Sequence, residues 1–220
     1  MPAPTRRWLS RALKTIAVLL AIWTVGSFGL EHITLHPRHW SVGPPPSANG
    51  WAYRNVSFKD SAGLTLRGWW IPGLRHETVI MVHGWTSSRR EPMGRADYLH
   101  QAGYNLLLFD LRGHGQSDGN YTTIGWQEPD DVRAAVTFAR SQDPGPIALL
   151  GYSMGASTVV EEAAHDPRVS AVVEDSGFDT LANAFGVYFH NMTLLPAFPF
   201  DRLVMAIGQL DLRMNIAAVR

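Results

Sequence analysis

The chain has 220 residues, no cysteine, and 19 basic against 19 acidic side chains. A chain of this length holds one core of moderate size plus appendages. The even charge balance gives no footprint for nucleic acid or another polyanion, and the missing thiols exclude disulfides, thiol catalysis and cysteine-held metals.

The N-terminal segment differs in character from the rest. Arg6, Arg7, Arg11 and Lys14 precede an uncharged run from Thr15 to Leu30 that is rich in Ile, Val, Leu and Ala. As a helix this run spans about 24 Å, slightly less than a hydrocarbon core of about 30 Å, with Trp8 and Lys14 placed to anchor its end. The run is longer than the apolar stretch of a signal peptide, and Val25-Gly26-Ser27 makes a mediocre cleavage site. Residues 1–35 are therefore expected to be an uncleaved signal anchor, basic end in the cytoplasm and the rest extracytoplasmic; secretion after cleavage is the alternative. A buried helix of the globular part fits less well, because apolar residues occupy all faces. Residues 36–50, with Gly43-Pro44-Pro45-Pro46-Ser47, read as a stiff linker.

The globular part is expected at 51–182. Trp51 to Lys59 and Leu64 to Ile71 alternate in polarity around Asp60-Ser61-Ala62-Gly63, which predicts an antiparallel hairpin. Thr78 to Val82 is a continuous apolar strand running into His83-Gly84-Trp85. A helix around Met93 to Ala102 leads to a second buried strand, Asn105 to Phe109, which opens into Asp110-Leu111-Arg112-Gly113-His114-Gly115-Gln116-Ser117. A helix from about Glu128 to Arg140 carries an apolar stripe at Val132, Ala135, Val136 and Ala139. The strand Ile147 to Tyr152, a helix ended by Asp166-Pro167, and the strand Val169 to Val173 complete the pattern. Strands alternating with helices predict an α/β fold, a mostly parallel sheet covered on both faces, with chemistry at the carboxyl ends of the strands. From 183 to 220 the pattern dissolves into Phe185, Tyr188, Phe189, Met192, Leu194, Leu195, Phe198 and Phe200, broken by Pro196 and Pro199. This segment reads either as a lid with an apolar lining or as helices packed on the core.

Within this frame Gly151-Tyr152-Ser153-Met154-Gly155 is the most informative stretch. A strand that reverses into a helix within a few residues forces its central serine into a strained conformation, and side chains at Gly151 or Gly155 would collide with the turn. The result is a hydroxyl raised above the sheet, beside the Met154 N–H at a helix start. Ser153 is the candidate nucleophile.

Taken in order, His83-Gly84-Trp85, the Asp110 to Ser117 loop and the Gly151 to Gly155 turn resemble the α/β-hydrolase superfamily. Within it they are most similar to membrane-anchored serine hydrolases of the Bem46-like group. The resemblance covers roughly residues 53 to 182. It implies Ser153 as nucleophile, the backbone N–H groups of Met154 and Trp85 as oxyanion donors, and Trp85 as a candidate wall of an acyl pocket. His83 and His114 would brace backbone, and Asp110 and Arg112 would fix loops. The family order places an acid and then a histidine after the serine. Asp175 is the candidate acid. His165 lies about 18 Å along the helix from Ser153 by helix rise, and His190 falls in the aromatic segment with no strand before it, so no base is assigned within the chain. The expectation is a hydrolase truncated at its C-terminus, inactive or incomplete as this 220-residue chain, with Val169 to Val173 left as an open edge.

The resemblance implies a small-molecule ester or amide with an apolar acyl group as substrate, acyl transfer through Ser153, the membrane as partner through the N-terminal helix, and no cofactor or metal. Two alternatives remain: a membrane-tethered binding protein that kept the fold and lost the base, and an acyltransferase. Dehalogenase and epoxide-hydrolase chemistry is disfavoured, because those enzymes place aspartate where Ser153 stands.

Overall fold

The computed structural model describes residues 3–193 and 197–212, with the side chains of 3–7, 48, 189–193, 197, 199 and 200 outside the description. Six strands form one sheet: β1 (Arg54–Lys59), β2 (Thr65–Ile71), β3 (Thr78–Val82), β4 (Asn105–Phe109), β5 (Ile147–Tyr152) and β6 (Val169–Asp175). Their order is β1-β2-β4-β3-β5-β6. The hairpin β1–β2 is antiparallel and joins β4 antiparallel, while β4, β3, β5 and β6 run parallel. Among the described residues six α-helices accompany the sheet: α1 (Ala3–Leu35), α2 (Met93–Gln101), α3 (Glu128–Gln142), α4 (Met154–His165), α5 (Leu181–Thr193) and α6 (Ala197–Asp211), the last kinked at Phe198.

The alternation of side chains along each strand divides the core into two layers. Ile80, Val82, Leu107 and Phe109 face the layer holding Val132, Val136 and Val159 from α3 and α4. Val79, Met81, Leu106 and Leu108 face the layer holding Met93 and Ala96 from α2. With both faces covered, β3 and β4 are buried along their whole length, which explains their unbroken apolar sequence. The register places Val82 opposite both Phe109 and Gly151, and Tyr152 opposite Asp175. His83, Asp110 and Ser153 therefore emerge together at one end of the sheet. Among the described residues β6 pairs only with β5, and Val172 and Val173 on it are exposed.

Helix α1 runs well past the uncharged stretch. Most of its apolar side chains are exposed, and Trp8–Leu35 is long and apolar enough to cross a membrane. Its last turns behave differently. Leu35 is buried in the main core, Ser27, Glu31 and Thr34 are buried, and Leu30 packs against Phe185 and Val204 of α5 and α6. The sequence gives no sign of this, since the partners lie far along the chain in α5 and α6.

The segment read as a stiff linker is pinned down: His39 reaches Gly115 O and Gly119 O, each at 3.1 Å, and Arg90 donates to Pro44 O at 2.9 Å. The aromatic segment after Asp179 forms helices α5 and α6, with Phe185, Val204 and Ile207 buried. The expectations for Phe189, His190, Met192, Leu194, Leu195, Pro196, Pro199 and Phe200 concern side chains outside the described set.

Candidate active site

Ser153 sits alone between β5 and α4, with φ 50° and ψ −117°, a conformation that L-residues avoid. The strain is held from both sides. Its N–H donates to Asp175 O at 2.9 Å, and its carbonyl accepts from Ala156 N at 2.9 Å and Ser157 N at 3.2 Å. The flanking glycines permit the closure: a Cβ on Gly151 would run into the Gly155 carbonyl, and one on Gly155 would lie 2.5 Å from His83 O and 2.6 Å from Val82 O. Ser153 is exposed, and its hydroxyl has no protein partner among the described residues.

The loop after β3 passes beside this serine. A Cβ on Gly84 would stand 3.3 Å from Ser153 Cβ. Gly84 N donates to Glu91 Oε2 at 2.6 Å, and Thr86, at φ 57°, donates its N–H to His114 Nε2 at 3.3 Å. Between them the Trp85 ring stands edge-on to Tyr188, 5.1 Å between centroids, and its Nε1 donates to Thr34 O at 3.0 Å. Met154 is the first residue of α4, where backbone N–H groups have no helical acceptor. Among the described residues neither the Trp85 nor the Met154 N–H donates to a protein acceptor.

His83 and His114 are both spent on backbone. His83 Nδ1 donates to Gly84 O at 2.7 Å while Nε2 accepts from Leu111 N at 3.0 Å. His114 Nδ1 donates to Arg112 O at 2.8 Å, and its Nε2 accepts from Thr86. Each ring is a neutral Nδ1–H tautomer whose one lone pair is occupied. Burial lowers both pKa values to about 4, further depressed at His83 by Arg89 and at His114 by His83. Neither ring offers a lone pair to the Ser153 proton. His165, at the far end of α4, bonds Glu161 O.

Asp175 supplies the carbonyl that holds Ser153, but its carboxylate is paired with Arg95 of α2 and accepts from the Ser176 hydroxyl. The Arg95 guanidinium and then that hydroxyl hold the carboxyl below the usual range. Arg95 itself stacks over the Tyr152 ring, in the layer opposite Met154. Asp110 accepts from Arg89 N, Arg89 Nε and Gln116 N, and Arg112 forks onto Asp131 while reaching Asp60 and Gln127. These two groups fix the β4 loop and do not line the Ser153 cavity.

That cavity, about 470 Å³, runs from Ser153 and Trp85 between Ile124, Phe178, Leu181 and Tyr188. Its walls come from distant parts of the chain. Thr34 arrives on α1. Phe178 is fixed by Ser157, whose Oγ accepts from Phe178 N at 2.9 Å and donates to Phe178 O at 3.1 Å. Thr180 caps α5, its Oγ1 accepting from Asn183 N at 3.2 Å, and Asp179 ahead of it accepts from Thr180 N and Asn183 Nδ2 at 2.7 and 2.8 Å. Thr34, Asp179 and Asn183 were not legible as site residues; Asp179-Thr180 ahead of an apolar run is a capping signal that marks the helix start, though not its place in the cavity. A larger cavity, about 640 Å³, lies between Ser61, Tyr121, Trp126 and Arg133 and contains neither Ser153 nor Trp85.

A strained serine at a strand-to-helix turn, on a parallel sheet extended by an antiparallel hairpin, defines the α/β-hydrolase class, and the chain belongs to that superfamily. The family described as Serine aminopeptidase, S33, matches residues 74–179. The Pyrococcus furiosus esterase Pf2001 superposes with a TM-score of 0.67 at 30% identity, covering 79% of this chain and 69% of that one. Uncharacterized protein Rv2307c of Mycobacterium tuberculosis is 33% identical over 173 residues, 75% of this chain and 58% of its own length. Polyketide transferase ATR5 of Stachybotrys chlorohalonatus is 35% identical over 127 residues, 54% of this chain and 42% of its own. The chain thus spans about half the length of these curated relatives, 58% of the first and 42% of the second.

Proposed function

We propose that the protein is a serine-dependent acyl hydrolase of esterase or amidase type, held at a membrane by α1. The observation that carries this is the exposed Ser153 hydroxyl, on a strained turn at the head of an apolar cavity and beside two backbone N–H groups with no protein acceptor. Ser153 Oγ attacks the substrate carbonyl carbon. The oxygen takes up the negative charge facing the Trp85 and Met154 N–H groups, and collapse expels an alcohol or amine to leave acyl-Ser153, which water then hydrolyses. Among the described residues no imidazole pairs with Ser153, so the proton acceptor in this reading lies outside them. Asp175 orients such a base only after its carboxylate leaves Arg95.

A fluorophosphonate probe on the full chain tests the assignment. Weak labelling is expected at Ser153, whose hydroxyl has no base paired with it among the described residues; it is mapped by mass spectrometry and should vanish in Ser153→Ala. Labelling that survives the substitution moves the nucleophile elsewhere, and a wild-type chain that never labels favours the binding-protein reading. Acyl transfer to an acceptor other than water is the second reading, favoured by the similarity to a polyketide transferase. Hydrolysis in ¹⁸O water separates the two, since only water attack carries the isotope into the released acid. For the anchor, the N-terminal mass of the mature protein is expected to retain Thr15 to Leu30; a start near Phe28 would indicate cleavage.

A further inference from the structure

The Ser153 cavity and the membrane helix share residues. Thr34 lines the cavity from the last turn of α1, and the carbonyls of Thr34 and Leu35 accept from Trp85 Nε1 and Thr122 N at 3.0 and 2.8 Å. The uncharged run ends at Leu30, and Glu31 is the first ionisable residue after it. Thr34 lies four helical steps beyond Leu30, a rise of about 6 Å. The head-group layer on each side of a bilayer is itself about 5–7 Å thick. A bilayer whose hydrocarbon edge lies at Leu30 therefore places the cavity wall at the head-group level.

The helices beside this end of α1 suit such a position. Val187 of α5 lines the cavity yet is 66% exposed, and Phe198 and Leu210 of α6 are exposed as well. The cavity is about 470 Å³, and its lining is largely apolar, with Ile124, Phe178, Leu181 and Phe185 beside the polar Thr34, Ser176, Asp179 and Asn183, which suits an alkyl chain below a polar ester.

We infer that the Ser153 cavity opens into the membrane interface and takes the acyl chain of a bilayer lipid, entering beside Thr34 and Val187. The inference rests on the nucleophile and anchor readings above. It predicts a substrate class that never leaves the bilayer: the ester group stays at head-group depth, where Ser153 meets it, and the chain enters the cavity.

The test uses the full chain in phosphatidylcholine vesicles. Because the chain has no cysteine, a single Val187→Cys carries an environment-sensitive fluorophore. Leu74→Cys is the comparison; Leu74 is exposed in the β2–β3 connection, at the opposite end of the parallel strands from Ser153. The Val187 label is expected to shift to the blue and be quenched several-fold by nitroxide-bearing lipid, while the Leu74 label stays water-like. Phosphatidylcholine carrying a diazirine at its acyl terminus is expected to crosslink to peptides containing Phe178, Leu181 or Tyr188. Ala184→Trp, which fills the cavity, should reduce that crosslinking several-fold. The crosslink map of the unsubstituted chain decides the matter even if this variant fails to fold.

A water-like Val187 label, or crosslinks confined to residues 8–26, overturns the inference. If fluorophosphonate labels Ser153 while lipid stays out, the inference falls and the nucleophile stands. If lipid crosslinks to the cavity while Ser153 never labels, the nucleophile falls and the lipid-binding cavity stands.

Discussion

Glu128→Gln is nearly isosteric, yet it should be among the more damaging single changes. Glu128 is fully buried at the start of α3. Its Oε1 accepts from the Thr122 hydroxyl at 2.8 Å and Thr123 N at 2.7 Å; its Oε2 accepts from the Thr123 hydroxyl at 2.6 Å and Gly125 N at 2.8 Å. Burial is the strongest influence on this carboxyl and raises its pKa, but the bonds from Thr123 and Thr122, with Arg112 nearby, outweigh it and leave the pKa below the usual value. An amide in the same place turns one oxygen into a donor. A threonine hydroxyl can rotate to accept from it, whereas the backbone N–H on that side cannot, so one buried N–H loses its acceptor in either orientation. Such a loss costs about 1–3 kcal/mol, and the surviving bonds lose their charge assistance. A total of about 2–3 kcal/mol corresponds to roughly 5–10 °C in melting temperature for a chain of this size. The loop so held carries Ile124 (φ 50°) into the cavity and Thr122 N onto Leu35 O. Hydrogen exchange at Thr122 to Gly125 should therefore rise along with the drop in melting temperature in detergent micelles. A fall of less than 1 °C would refute the assignment of a charged acceptor at this position. The sign with pH is fixed as well: a depressed carboxyl adds stability above its unfolded pKa, and that stability is lost as pH falls through the acidic range.

His83 and His114 give a second pH dependence. Each has a pKa of about 4 in the fold, below the ordinary imidazole value of about 6.5, so the unfolded chain binds more protons between those values. Stability should fall as pH drops from about 6.5 towards 4, at up to about 1.4 kcal/mol per pH unit for each ring, in denaturant titrations. Arg112→Met strands Asp131, whose pKa burial already pushes up to about 7 against the pull of Arg112. It should cost about 3–5 kcal/mol in the same titrations. Arg112→Lys should recover little, because an ammonium cannot fork onto Asp131 and still reach Asp60. Gly155→Ala places a methyl 2.5 Å from His83 O, which should lift α4 off β3. A loss of about 1–3 kcal/mol, with weaker fluorophosphonate labelling, is expected; unchanged labelling would contradict the close packing at the turn.

The sheet was legible because its strands carry their own signal: Thr78–Val82 and Asn105–Phe109 are apolar throughout and lie buried between two layers. The Ser153 turn was legible because Gly151 is forced by Gly155 and Ala156, a few residues on; what forces Gly155, the Val82 and His83 carbonyls at the end of β3, lies about 70 residues away and shows only in the fold. The cavity was not, because its walls come from α1, the β3 loop, the Thr122–Gly125 loop and α5, brought together only by the fold. Nothing in Thr34 or Leu35 distinguishes them locally from the end of a membrane helix. Asp175 shows the same limit: its place at a strand end can be read, but its pairing with Arg95, 80 residues away, cannot. The aromatic run after Asp179 has helical spacing in part, but Pro196 and Pro199 obscure it, and the structure places α5 before them and kinks α6 near them at Phe198.

The docking of α1 also has a consequence in time. Thr34 must wait for Trp85, 51 residues later, and Leu35 for Thr122, 87 residues later. At a synthesis rate of about 5–20 residues per second, those intervals last roughly 3–10 s and 4–17 s. Throughout them the helix end that will close the cavity has been made but has nothing to bind. Phe185 and Val204, which cover Leu30, come later still. A segment made early is thus among the last to reach its native contacts, and cavity assembly has to follow placement of α1.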